Sequence, residues 1–395
     1  MNEHTYNFDE FVDRHGSDCK KYSPVKYTSD VLPMWIADTD FKVAKEVIAA
    51  AEKRAEHPVF GYPYELPAFN TAVQGWMKRR HNWDISTDSV EFATGVIPAH
   101  IFCIRAFTHP GDKIVCQTPL YPPLREAVVD NGRTLVNNVL INNDGHFEID
   151  FEDLDKKLAD PRTTMFILCN PHNPTGRSFN REELEKIAEL CLKNDVFVFA
   201  DEIHADITFS GHEHVPFASL SKEISDITIT GINPGKAFNV AGVRTAAVII
   251  ENKKLMDKYI ISRKNNKGMG RTVFGQNVFI ACYENGDDYV DQEVAYLEKN
   301  LDYLDKYLKE NVPEIKFHKA EATYLMWLDC RELGLSQAEL LKLFEEDGKL
   351  GMNDGATFGT EGIGFVRMNI AAPKSTVEEG CKRLKKAVDA WKERQ

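Results

Sequence analysis

Lys236 stands in GINPGKAFNVAGVR, residues 231–244, between a proline-glycine kink and a run of small residues, with Arg244 eight positions on. The preceding run DITIT is rich in β-branched residues and reads as a buried strand, so the lysine falls where a strand ends and the chain turns. An ammonium there is either a solvated charge at a turn or an amine held in a pocket for covalent work. Three other apolar runs end in the same way on chemically able side chains. KIVCQTP leads to Tyr121, TMFILC leads to Asn173, and VFVFA leads to Asp201 with His204 three residues later. In a parallel sheet these groups would converge, because ligands gather beyond the carboxyl ends of such strands.

An aromatic ring, an amide, a carboxylate with an imidazole, and an amine make a set that suits pyridoxal phosphate. That cofactor needs a lysine to bond its aldehyde carbon and a carboxylate at its pyridine nitrogen, which keeps the ring protonated and electron-accepting. Lys236 and Asp201 fill these two roles. Asn173 is expected to hydrogen-bond the ring oxygen, and Tyr121 either stacks on the ring face or is simple packing at a strand end. His204 either supports the ring oxygen or Asp201, or is a satisfied core histidine. Arg244 forks onto the phosphate, and the backbone amides of Gly95, Val96 and Ile97 in FATGVIPAH serve the same anion if they open a helix. DEIH (201–204) and GHEHV (211–215) also hold metal-ligand types, but two or three ligands without a further cluster do not close a coordination shell, and no metal is expected.

The elements that would position these residues are legible from about residue 46 to 285. There helical stretches alternate with the runs KIVCQTP, TMFILCNP, VFVFADEI, DITITGI and TAAVII, the pattern of βαβ units around a mostly parallel sheet in an α/β domain. Asn180 and Glu183 form a capping box for the crossover helix REELEKIAELCLKND. Beyond residue 285 the chain turns to charged amphipathic helices such as DQEVAYLEKNLDYLDKYLKE, with short strands in YLMWLDC and GFVRMNI. Residues 286–395, joined by 1–45, read as a smaller α+β domain beside a large domain of 46–285. Its last helix is expected to start at Ser375, with Glu378 as the partner in its capping box, and to bury Val377, Cys381, Leu384 and Val388.

Composition narrows the function classes. A chain of 395 residues with 43% hydrophobic content can bury a large core. A formal charge of -13 argues against nucleic acid as a partner, because phosphate binding needs a basic face. The opening MNEHTYNFDEF is unlike a secretory signal, and no apolar run has the length of a membrane span, so a cytoplasmic protein without a membrane partner is expected. The eight cysteines lack any CxxC spacing and read as reduced core residues.

Over nearly its whole length the chain resembles fold-type I pyridoxal-phosphate enzymes of the class I/II aminotransferase superfamily, specifically the MalY/PatB-type cystathionine β-lyase branch. The landmarks are LPMWIADTDF (32–41), HPVFGYPY (57–64), TGVIPA (94–99), TPLYPPL (118–124), DNGR (130–133), NPHNPTGR (170–177), DEIHAD (201–206), GKAFNVAG (235–242) and FVRMNIA (365–371). The resemblance implies a seven-stranded, mostly parallel sheet between helices and a cofactor bonded to Lys236 opposite Asp201. It also implies that Arg367 anchors the substrate carboxylate, with Ala37 and Asp38 close to the substrate. Tyr62 would reach the phosphate in a neighbouring subunit, which implies a homodimer with shared active sites. The implied activity is β-elimination from L-cystathionine, L-cysteine or a related S-conjugate, giving pyruvate, ammonia and a thiol. An aminotransferase is the runner-up, and a regulatory protein without turnover is a third reading. Two departures stand out. The branch's Ala-Pro-Ser is Asn233-Pro234-Gly235 here, which removes a phosphate-binding hydroxyl and leaves Asn233 or Thr230 to substitute for it, or the cofactor less tightly held. Its VADMDF is IADTDF, with Thr39 in place of methionine, which bears on substrate preference.

Overall fold

The structure, a computed structural model, describes residues 5–268 and 270–395; residues 1–4, where the smaller domain was expected to begin, and Met269 lie outside the described residues. The central sheet has seven strands: β1 (Val90–Ala93), β2 (Lys113–Thr118), β3 (Thr134–Val139), β4 (Thr163–Cys169), β5 (Phe197–Asp201), β6 (Thr228–Ile232) and β7 (Ala246–Ile249). Their spatial order is β1-β7-β6-β5-β4-β2-β3. Only β7 runs against its neighbours, so all the other strands end at the same edge of the sheet. The sequence runs that read as strands are β2, β4, β5, β6 and β7; the shorter β1 and more polar β3 complete the sheet.

The reason TMFILC is apolar throughout is visible in β4. Met165, Ile167 and Cys169 pack on one face with Cys103, Ile104, Leu124 and Val128, which belong to helices α1 (Val96–Phe107) and α2 (Pro122–Asp130). Phe166 and Leu168 pack on the other face with Leu184, Ile187 and Cys191 of α3 (Arg181–Lys193). A strand covered by helices on both faces has no solvent side to keep polar. The Asn180–Glu183 capping box at the start of α3 is present, with both of its hydrogen bonds made.

The C-terminal stretch contributes α4 (Asp287–Asn311), α5 (Lys374–Lys392) and a three-stranded antiparallel sheet of β8 (Leu325–Asp329), β9 (Asn353–Asp354) and β10 (Phe365–Asn369), in the order β8-β10-β9. Leu32–Pro33 pairs with Leu350–Gly351, which ties the N-terminal segment to this unit. One core cluster runs from Met34 and Phe41 through Phe238 and Tyr283 to Leu297, Met368 and Leu384, so the two units share buried surface.

The expectation for the last helix is corrected at its start. α5 begins at Lys374 after Pro373, and no side chain caps it. Ser375 therefore lies inside the first turn, where a residue with helical backbone angles cannot act as the cap. The amide of Lys374 donates instead to the Tyr296 hydroxyl at 2.6 Å. The expected stripe of Val377, Cys381, Leu384 and Val388 is buried. None of the eight cysteines is in a disulfide. Among the described residues no helix is long and apolar enough to cross a membrane.

Candidate active site

A cavity of about 170 Å³ opens at the edge where the parallel strands end, lined by Ala37, Gly95, Val96, Ile97, Tyr121, Asn173, Asp201, His204 and Lys236, with Pro98, Cys169 and Ile203 between them. Each βα connection delivers its residue. Tyr121 immediately precedes α2, Asp201 is the last residue of β5, and Gly95 and Val96 open α1, so the amides of 95–97 do form a helix N-terminus.

Lys236 follows β6 and its Nζ donates to the Ala37 carbonyl at 2.6 Å. The Tyr324 hydroxyl donates to the same oxygen at 3.2 Å. That carbonyl is held in place by the chain around it. Asn369 Nδ2 donates to the carbonyls of Ile36 and Asp38, at 2.6 and 2.7 Å, and Asn239 Nδ2 donates to those of Thr39 and Phe41. The Asp38 side chain is engaged by Arg14 at 2.8 Å, while Thr39 is fully buried. Burial, with the Arg367 guanidinium nearby, pulls the Lys236 ammonium down to about 8, so it gives up its proton far more readily than an ordinary lysine.

Asp201 is 4% exposed and accepts one hydrogen bond, from the Ile203 amide at 3.2 Å. A carboxylate buried with so little compensation holds its proton, and its pKa rises to about 7. His204 is also buried, and its Nδ1 has no partner. Burial, then Lys236 and Arg367, push it well below the usual imidazole range, so it is neutral.

Arg367 is 3% exposed in β10. Nη1 donates to Asn173 Oδ1 at 2.8 Å, Nη2 donates to Asn353 Oδ1 at 2.5 Å and to the Trp35 carbonyl at 3.2 Å, and Nε has no partner. All of these acceptors are neutral. Burial lowers its pKa to about 10, and the face of Phe358 lies 4.9 Å from the guanidinium carbon. Arg244 is exposed at a left-handed turn and does not line the cavity, and Tyr62 is fully exposed on the strip that contains Val59, Phe60 and Tyr64. Tyr324, Asn353 and the Trp35 carbonyl went unnoticed in the sequence; YLMWLDC marked only a strand, and nothing local ties Tyr324 to an oxygen 287 residues away.

These residues fit pyridoxal phosphate on grounds internal to the structure. A proton-holding carboxyl, an imidazole nitrogen without a partner, a guanidinium without a counter-charge and an amine of lowered pKa surround one cavity, and each would gain a partner from the ring, the aldehyde or an amino-acid carboxylate.

Fold and site together define a fold-type I enzyme, and the family model for aminotransferase class I and II matches residues 29–384. The chain belongs to that family and, within it, to the branch of cystathionine β-lyase PatB. PatB of Bacillus subtilis is 40% identical over 385 residues, covering 97% of this chain and 100% of that protein. The crystal structure of cystalysin from Treponema denticola, which contains pyridoxal 5'-phosphate, superposes with a TM-score of 0.95 at 33% identity, covering 98% and 100% of the two chains. The PLP-bound C-S lyase from Staphylococcus hominis gives a TM-score of 0.90 at 30% identity, covering 97% and 98%.

Proposed function

We propose that this chain is a pyridoxal-phosphate-dependent carbon-sulfur β-lyase that cleaves L-cystathionine, L-cysteine or a related S-conjugate to a thiol, pyruvate and ammonia. The observation that carries the reading is the pairing of an amine of lowered pKa, Lys236, with a buried guanidinium, Arg367, that meets only neutral acceptors. A buried charge without a counter-charge is costly, and a substrate carboxylate supplies that counter-charge. Similarity to PatB supports the lyase activity, and the cofactor in cystalysin and in the Staphylococcus hominis C-S lyase supports pyridoxal phosphate.

Bound in the cavity, pyridoxal phosphate supplies an aldehyde that bonds amines and a protonated ring that accepts the electron pair left at Cα. Lys236 would hold the cofactor through its aldehyde carbon. Asp201 would hold the ring nitrogen, and a positive charge there would stabilise the carboxylate against the effect of burial. Asn173, oriented by Arg367 Nη1 on its Oδ1, keeps Nδ2 for the ring oxygen, and Tyr121 covers the ring. His204, neutral and buried, supports Asp201 or the ring oxygen. Arg367 orients the substrate through its carboxylate, with the Ala37–Asp38 segment alongside. Lys236 Nζ, an amine of lowered pKa, would be the base for the Cα proton, and the electron pair left at Cα would allow the Cβ–S bond to break with the sulfur leaving as thiolate. The amides of 95–97 would serve the phosphate, and Arg244, which lies exposed outside the lining, would have to turn inward to join them. Tyr62, fully exposed in the single chain, would reach the phosphate of a partner subunit in a cytoplasmic homodimer.

The test is a substrate panel on purified, cofactor-loaded protein. Pyruvate and thiol from L-cystathionine or L-cysteine are expected in equal amounts. Glutamate formed from 2-oxoglutarate with no pyruvate or thiol would make the chain an aminotransferase instead.

A further inference from the structure

Residues 5–31 form neither helix nor strand, yet they carry a charge cluster that none of the roles above uses. Two cations of this segment meet two aspartates of the turn that follows it. Arg14 Nη2 donates to Asp38 Oδ2 at 2.8 Å, and Nη1 donates to Asp38 Oδ1 at 3.1 Å, to Asp40 Oδ1 at 2.7 Å and to the Thr39 carbonyl at 3.0 Å. Lys21, only 1% exposed, donates from Nζ to Asp40 Oδ2 at 2.8 Å. All four carboxylate oxygens are thus engaged by the segment. A lysine buried this deeply is tolerated only with its counter-charge, so the cluster seats the segment on the fold. The Trp35 indole adds a hydrogen bond from Nε1 to the Lys21 carbonyl at 3.2 Å.

The clamped turn touches both cations of the cavity. The Trp35 carbonyl accepts from Arg367 Nη2, and the Ala37 carbonyl accepts from Lys236 Nζ. Asn239 and Asn369 also hold this turn, but their side chains bond only backbone groups. The Asp38 carboxylate is held by Arg14, which takes both of its oxygens. Its engagement matters because few charges surround Lys236. Burial and Arg367 of β10 favour the neutral amine, Asp38 and Asp201 of β5 favour the ammonium, and His204 after β5 and the Tyr324 hydroxyl before β8 are neutral. Freed from Arg14, Asp38 would be an unpaired anion one residue from the carbonyl that Lys236 already meets.

We infer that Arg14 is a positioning residue for the proposed reaction: it fixes the turn that presents the Ala37 carbonyl to Lys236 and keeps the Asp38 carboxylate engaged away from the amine. The inference rests on the reading of the cavity as the site of a pyridoxal-phosphate lyase. Arg14→Gln is the main probe, because it keeps a donor for Asp38 and removes the charge and the fork. Acetic anhydride acylates only a neutral amine, so in cofactor-free protein the pH dependence of Lys236 acylation, read by mass spectrometry of its peptide, gives the titration midpoint of that amine. The midpoint is expected to rise by about one pH unit in Arg14→Gln, because an unpaired carboxylate favours the ammonium. It is expected to fall by about half a unit in Asp38→Asn, which removes the anion, and to lie no higher than wild type in the double variant. In cofactor-loaded Arg14→Gln, kcat for pyruvate release from L-cystathionine is expected to fall about tenfold with KM within about threefold of wild type, since Arg367 keeps Asn173 and Asn353. A merely structural clamp would lower the melting temperature and leave the midpoint in place. A midpoint that does not rise in Arg14→Gln, or a rise that Asp38→Asn does not cancel, overturns this inference alone. If Arg14→Gln does not fold, an unmoved midpoint in Asp38→Asn overturns it. A wild-type protein that takes up no pyridoxal phosphate and releases no pyruvate overturns the reading of the cavity, and the role given to Arg14 falls with it.

Discussion

Two buried arginines make the most instructive contrast in the molecule. Arg177 is 5% exposed and Arg367 is 3% exposed. Arg177 forks onto Glu183 at 2.8 and 2.9 Å, meets Glu321 at 3.1 Å, and also donates to the Phe147 carbonyl. Arg367 meets two amide oxygens and a carbonyl, and keeps a free Nε. The same division runs through the segment DEIHAD. Glu202 accepts from His214 and the Phe217 amide, and Asp206 accepts from Trp76 and His81, each at 2.9 Å. Asp201, a few residues away, has one backbone amide. Burial acts on all of them. Where donors compensate, as at Asp206, the acid's pKa falls below the ordinary value; where they do not, as at Asp201, it rises. At Arg177, Glu202 and Asp206 the charge is paired within the chain, and at Arg367 and Asp201 it is left without a counter-charge.

Lys236→Ala should break the site half of this contrast most severely. Turnover of L-cystathionine is expected to fall by about a thousandfold or more, since covalent anchoring and proton transfer are lost together, while far-ultraviolet circular dichroism stays unchanged.

The arginines come next. Arg177→Met strands Glu183 and Glu321 without their counter-charge and is expected to cost about 3–5 kcal/mol of stability in denaturant unfolding. Arg367→Met strands no carboxylate and is expected to cost only about 1–2 kcal/mol, while raising KM for the amino acid about a hundredfold. Equal destabilisation by the two would erase the distinction.

Asp201 and Asp206 sharpen it through pH. Without cofactor, Asp201 has a folded-state pKa near 7, above its ordinary 3.8, so its contribution is greatest below pH 4 and is lost as pH rises through 7. Asp201→Asn is therefore expected to stabilise the cofactor-free protein by about 2–4 kcal/mol at pH 8 and by little at pH 4, while abolishing turnover. Asp206 has a lowered pKa and the opposite sign: its contribution is present above pH 4 and is lost on acidification. Asp206→Asn is expected to destabilise at pH 7 and to match wild type at low pH. Thermal melts of both variants at the two pH values would check the pair.

The smallest effect belongs to Tyr324→Phe. It removes one hydrogen bond to the Ala37 carbonyl and is expected to cost about 1 kcal/mol in stability and a few-fold in kcat.

Much of the site was legible because its residues follow strands. An apolar run ending in Asp201, Asn173 or Lys236 announces a strand end, and parallel strands bring their ends together without any knowledge of the loops. The first residue of α5 was not legible, because the partner of its amide is Tyr296, on another helix.

Residue types and their order were enough to indicate an α/β fold, a pyridoxal-phosphate chemistry and the residues at its centre, since both β-periodicity and strand-end placement are local properties of a chain. Which buried charges were already satisfied could not be read there. The partner of Lys236 is 199 residues away and two of the three acceptors of Arg367 are 194 and 332 residues away, and hydrogen bonds over such separations leave no periodic trace in the chain. Packing alone selected Ala37, Asn173 and Asn353 to meet those cations, and packing alone left them without an anion.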